Sequence, residues 1–204
     1  LLFLIMLALA FIPLLGNLAS QILLPVFMGG LMLGCKSRAE GSEFQVTHLF
    51  AGFSRHTGPL VVLGFLYLAG VIVLLILAVV LLFVVGGAAG IFASLGSGDP
   101  AAMAAHHDTL MLVVLVVLAL YLPLLMAIWF APLLVVVHDA APLDAMKLSF
   151  QGCLMNVLPF LLYGLLGLVL AIIAALPLLL GYLILMPMIY ASIYAAYRDI
   201  YSGA

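Results

Sequence analysis

Residues Leu120 to Gly164 read LYLPLLMAIWFAPLLVVVHDAAPLDAMKLSFQGCLMNVLPFLLYG. An apolar run carrying Pro123 and Pro132 stops at the charged corner His138-Asp139, passes into a short two-faced segment, and resumes at Pro159. Proline removes a backbone donor and crowds the carbonyl four residues back, so the two prolines predict a membrane helix broken along its length. Asp139 near a helix start and Pro142 in its first turn predict a second helix over 142–154. Leu143, Met146, Phe150 and Leu154 form its apolar face, with Asp144 and Lys147 opposite.

The rest of the chain has the same character. Of its 204 residues, 69% are hydrophobic and 6% charged, whereas a soluble domain carries about 25% charged residues. So few charges cannot cover a soluble surface. Residues 60–85, 110–137 and 157–180 each exceed the ~20 residues that cross a hydrocarbon core as helix. The roughly ten-residue alternating segments of a membrane β-barrel do not occur. Residues 1–12 would reach about 18 Å as helix, short of a ~30 Å core, and are read as the end of a first membrane helix that begins upstream. Cys35 and Cys153, the two cysteines, are read as small packing residues, since two thiols alone make neither a disulfide framework nor a metal site.

Taken in order, a charge-free turn at 11–17 leads into a second helix over about 18–35 with Pro25 inside. Gly30 and Gly34 there form a GxxxG face suited to close helix contact. Lys36, Arg38, Glu40 and Glu43 end the membrane phase. Ser42 and Gln45 fit a capping box opening an amphipathic helix near 43–55, whose stripe is Val46, Leu49, Phe50 and Phe53. Phe50, Phe53, Arg55, Lys147 and Phe150 are the residues expected at the membrane interface. A third helix spans about 59–85, and residues 91–109 form the one substantial polar loop. A fourth runs to Val137, a fifth over about 157–176, and a sixth, kinked at Pro187, ends near Arg198. Pro25, Pro123 and Pro187 are the expected kinks, and Ser192 and Ala196 a second small-residue contact face.

Two alignments point to a repeat. An offset of 100 pairs Phe50 with Phe150, Gly52 with Gly152, Pro59 with Pro159 and Gly64 with Gly164. An offset of 162 pairs Pro25 with Pro187, Gly30 with Ser192, Gly34 with Ala196 and Lys36 with Arg198. The expected architecture is therefore all-α: a single transmembrane domain over 1–204 with six membrane helices and two amphipathic helices on the cytoplasmic face. Its unit is an interfacial helix followed by a helical hairpin. The five basic residues, Lys36, Arg38, Arg55, Lys147 and Arg198, then share one side, which the positive-inside rule makes cytoplasmic together with both chain ends.

Phe130-Ala-Pro-Leu-Leu-Val-Val-Val-His-Asp139, His48-Leu-Phe-Ala-Gly-Phe53 and Ala191-Ser-Ile-Tyr-Ala-Ala-Tyr-Arg-Asp-Ile200 resemble an uncharacterised family of bacterial six-helix inner-membrane proteins, over essentially the whole chain. More remotely, the layout is similar to the membrane domain attached to some glycerophosphodiester phosphodiesterases, without a catalytic domain here. The resemblance implies an inner-membrane topology and no particular activity.

Candidate chemistry is sparse. His106-His107-Asp108 offers three metal-ligand types, but adjacent side chains on a helix diverge by about 100°, and Asp108 or Thr109 suits a cap. His138-Asp139 has the composition of an acid–base pair, which capping explains as well. Tyr190, Tyr194, Tyr197 and Tyr201 share one helical face suited to interfacial anchoring, helix packing or a flat ligand. No Asp, Glu, Lys, Arg or His falls in the middle of a predicted span, which disfavours proton-coupled transport. Nucleotide-binding, zinc-hydrolase and nucleophile-elbow motifs are absent, and the cations are too few for nucleic acid. The expectation is a non-enzymatic membrane protein without cofactor, catalytic residue or metal. It would act as an accessory, assembly or lipid-organising subunit whose partners are membrane lipid and another membrane protein or a larger complex. The alternative is a channel or facilitator for a small neutral or apolar solute, using backbone freed at the prolines.

Overall fold

The structure, a computed structural model, describes residues 2–12, 15–54, 56–86, 90, 93, 96–98, 100–177 and 179–202. Among these there is no β-strand. The helices are α1 (Leu2–Ala10), α2 (Leu15–Ala39), α3 (Thr57–Gly86), α4 (Pro100–Ala104), α5 (His107–Trp129), α6 (Ala131–His138), α7 (Pro142–Met155), α8 (Val157–Ala175) and α9 (Tyr182–Tyr197). A 3-10 segment, Val46–Phe53, precedes α3, and a π turn, Arg198–Ser202, follows α9. Among the described residues, four stretches are long and apolar enough to cross a membrane: Leu15–Ala39, Thr57–Val85, His107–His138 and Val157–Ala175. Their large side chains stand exposed, Val73 at 62%, Leu165 at 60% and Val84 at 76% among them. Apolar surface on that scale is stable only against lipid or another apolar partner.

The chain forms two compact units, one of residues 1–65 and 126–204 and one of residues 66–125. In the first, Val26, Met32, Leu60, Leu63, Phe130 and Leu133 to Val136 make a core. Gly29 brings α2 against Leu60 and Val136, because a Cβ there would lie 2.9 Å and 3.0 Å from their methyls. In the second, Tyr67 and Tyr121 hydroxyls share a hydrogen bond at 2.9 Å, and Gly70 makes room for Leu124.

Three expectations change. The segment after α2 is a 3-10 helix starting at Val46, with Gln45 rather than Ser42 as its cap; the Gln45 N–H donates to His48 Nδ1 at 2.9 Å. Three residues per turn align Val46, Leu49 and Gly52, so Leu49 and Gly52 turn inward while Phe50 and Phe53 remain largely exposed, their edges against Phe27. The expected α-helical stripe is thereby split.

The long helix is interrupted at Phe130 and not at Pro123, through which α5 continues. Helices also continue through Pro25 and Pro187. Finally, α7 turns its small residues Ala145, Ser149, Gly152 and Cys153 inward, leaving Leu143, Leu148 and Leu154 exposed. Small side chains are what allow its backbone to lie against the interrupted helix.

Candidate functional site

The interruption begins with a missing donor. Pro132 has no N–H for the Ile128 carbonyl, and its ring would crowd that carbonyl in a continuous helix. Breaking at Phe130 places Pro132 in the first turn of α6, where no donor is needed. The break in turn separates Phe130 N–H from the carbonyl of Met126, its partner in a regular helix. Ser149, fully buried on α7, closes that gap. Phe130 N–H donates to Ser149 Oγ at 2.9 Å, and the Ser149 hydroxyl donates to the Met126 carbonyl at 2.7 Å. One turn further along α7, the Cys153 thiol donates to the same carbonyl at 3.6 Å.

Around this bridge Ser149 and Cys153 are buried and Tyr201 is partly so. Burial pushes the Cys153 thiol up to about 11, against a smaller opposing effect of its contact with Ser149. Burial likewise raises the Tyr201 phenol, with lesser contributions from Cys153 and Tyr197. Tyr201 donates to the Leu148 carbonyl at 2.9 Å, and its ring meets Phe130 edge-on at 5.6 Å. Its hydroxyl fills the space a Cβ at Gly152 would need.

At the other end of α6, Asp139 adopts a left-handed conformation (φ 51°) and its N–H returns to the Leu134 carbonyl. It therefore closes α6 instead of opening α7, whose cap is Ala141 with Pro142 following. The Asp139 carboxylate accepts from His56 Nε2 at 2.9 Å, while His138 Nε2 bonds the Tyr197 hydroxyl. The adjacent His138 and Asp139 thus serve different partners on different elements. His56 Nδ1 is buried without a hydrogen bond.

The other singled-out residues are distributed. Gly30 and Gly34 face their own chain: a Cβ at Gly30 would lie 2.6 Å from the His48 carbonyl, and one at Gly34 would meet Phe44 and His48. Ser192 bonds the Tyr163 hydroxyl at 2.8 Å and, with Ala196, lines a cavity of about 330 Å³. Lys147 pairs with Asp144 on the exposed side of α7, and Phe150 is half-buried. Arg55 lies outside the described residues, as do Pro13 and Asp99. His107 and Asp108 are exposed neighbours 3.4 Å apart, and among the described residues no three metal-ligating side chains converge. The tyrosine face turns toward the core: Tyr197 is buried, stacks on Tyr201 at 5.5 Å and lies 6.0 Å from Tyr194. Sequence reading missed Ser149, the His56–Asp139 pair and the Tyr67–Tyr121 pair. For Ser149 a signal existed, since Ala145, Ser149 and Cys153 are small residues four apart on a helix that follows a proline-broken one.

Long apolar helices, lipid-compatible surfaces and an interrupted span bridged by a serine from the next helix define a polytopic α-helical membrane protein. The chain is 31% identical over 213 aligned residues to a probable inner membrane protein of Burkholderia thailandensis, an alignment covering 95% of this chain and 78% of the relative. It belongs to that family of bacterial inner-membrane proteins. No protein-family profile matches the chain, and no solved structure does.

Proposed function

We propose that this protein is a non-enzymatic accessory, assembly or lipid-organising subunit of the inner membrane, acting through helix and lipid contacts. The observation that carries this reading is the Ser149 bridge. The most conspicuous polar feature in the described span is spent on closing the backbone, while large apolar side chains face outward. The facilitator alternative needs unwound carbonyls open to a solute. Met126 O, one of the carbonyls released at the break, is already taken by Ser149 and Cys153.

The finer topology belongs to the same proposal: one transmembrane domain, six spans, and both ends cytoplasmic. α9 covers residues 182–197, about 24 Å at helical rise, and α1 supplies part of another span. The repeat of an interfacial helix followed by a hairpin belongs to the proposal as well. Under the offset of 162, α2 and α9 correspond. The remote likeness to a phosphodiesterase membrane domain carries no hydrolase into this reading.

The test is purification of the intact chain in mild detergent, followed by native mass spectrometry. A co-purifying membrane protein or retained phospholipid is expected. A solitary monomer free of both would overturn the proposal. Replacing His107, Asp108, His138 and Asp139 singly should leave the co-purifying set unchanged, whereas a chemical turnover lost in any one variant would make the protein an enzyme.

A further inference from the structure

A cavity of about 330 Å³ opens beside the start of α8 and the end of α9, within the size range of small-ligand sites. Its lining divides into two kinds of surface. Trp129, Phe160 and Tyr163 supply aromatic walls, with the Trp129 and Phe160 rings edge-to-face at 6.3 Å and 85°. Asn156, Ser192 and Asp199 supply oxygen atoms. Asn156 spends its amide N–H on the Gly152 carbonyl at 2.9 Å, which leaves its Oδ1 as an acceptor. Asp199 is exposed, its side chain makes no hydrogen bond or ion pair among the described residues, and no Lys, Arg or His lines the space.

A carboxylate and amide oxygen beside aromatic faces select a cation that carries N–H donors. Aromatic faces attract such a cation through their quadrupole, and its hydrogens need the acceptors. Among the described residues the Trp129 indole N–H also makes no hydrogen bond, leaving a donor for an anionic oxygen next to the cation. Asn156 immediately precedes a membrane-length apolar helix, and Asp199 lies in the π turn that follows α9. The polar rim therefore stands where an apolar phase ends. Leu158, Leu161 and Leu162 beside it are exposed.

The comparison with α2 is informative. Ser192 and Ala196 align with Gly30 and Gly34, whose face is filled by Phe44 and His48; on α9 the matching face is open.

The geometry points to this cavity as a site for the headgroup of a zwitterionic phospholipid bearing a primary ammonium, with Asp199 and Asn156 on the ammonium and Trp129 N–H on the phosphate. It deepens the lipid-organising reading above and rests on it. Trp129 is the one tryptophan in the chain, so its emission reports on the cavity directly. The full chain in detergent is titrated with short-chain phosphatidylethanolamine, phosphatidylglycerol and phosphatidylcholine, and separately with free ethanolamine and phosphoethanolamine.

Phosphatidylethanolamine should shift Trp129 emission saturably at a concentration about tenfold below phosphatidylglycerol. Phosphatidylcholine, which lacks N–H donors, should fall between them, and the free amines should have no effect. Asp199→Asn, at an exposed position, should keep the melting temperature and abolish the preference, while Asp144→Asn on the far side of α7 should retain it. Equal responses to the ethanolamine and glycerol lipids, or a preference surviving in Asp199→Asn, overturns the site. A shift with free ethanolamine alone overturns the lipid as its source. If Trp129 ignores headgroup chemistry while the chain still co-purifies with a partner or lipid, the site fails and the contact reading stands. If the chain binds neither, both fall.

Discussion

Ser149 is the residue on which the most backbone depends, because one hydroxyl replaces a helical hydrogen bond from both sides. Ser149→Ala strands Phe130 N–H in a buried site and leaves the Met126 carbonyl only its 3.6 Å contact with the Cys153 thiol, and a buried unpaired group costs about 1–3 kcal/mol. The expected result is a loss of about 2 kcal/mol, read as a lower melting temperature in detergent. Ser54→Ala, at an exposed capping position, should change little. Cys153 makes a prediction in pH. Its folded thiol ionises near 11 against 9.0 when unperturbed. The neutral thiol is thus favoured in the folded state, and its stabilisation is complete below pH 9.0 and declines as pH rises toward about 11. Denaturation midpoints measured across that window should fall for the native chain, and Cys153→Ala should flatten the part due to this thiol. Tyr201, also raised by burial, contributes in the same direction.

Among the elements, glycines show which contacts are backbone to backbone. A Cβ at Gly52 would overlap the Val26 carbonyl, whereas one at Gly58 would meet nothing within 4 Å. Gly52→Ala should therefore cost about 1–3 kcal/mol as overpacking and Gly58→Ala much less, with thermal melts as the measurement. The paired positions Gly64 and Gly164 should also separate, since a Cβ at Gly64 would lie 2.5 Å from the Ile22 carbonyl and one at Gly164 in open space. Residues aligned by the repeat therefore need not share an environment. The GxxxG face illustrates how sequence can identify an approach without its partner: Gly30 and Gly34 do permit close packing, but the segment they admit is the chain's own 44–49 turn. The apolar stripes at 46–53 and 142–154 misled for a related reason. A segment of a membrane protein can have an apolar phase beside it as well as protein, so large apolar residues need not mark its protein-facing side.

For the molecule as a whole, the proposed topology makes a labelling prediction. In a chain with Cys35 and Cys153 replaced by alanine, single cysteines at Lys36, Lys147 and Arg198 should react with an impermeant maleimide in inside-out vesicles and resist it in right-side-out ones. A cysteine at Asp108 should do the reverse. Lys147 labelling from the side opposite Lys36 would end the six-span arrangement with both ends cytoplasmic. Hydropathy made the membrane class legible because mean composition and run length decide whether water or lipid can solvate a helix, irrespective of detailed packing. The helices at 15–39, 57–86 and 157–175 were readable on that ground.

By itself the sequence determined the solvent of this chain: 6% charge and membrane-length apolar runs leave no way to face water along most of its length. It also offered Pro132, whose missing donor is a covalent fact, as one place where a membrane helix breaks. Only the tertiary structure decided how that break is closed, bringing Ser149 from a separate helix to Phe130 and sending Asp139 to His56. Those partners lie 19 and 83 residues apart in the chain. Hydrogen bonds over such separations depend on how helices pack, which no local spacing encodes.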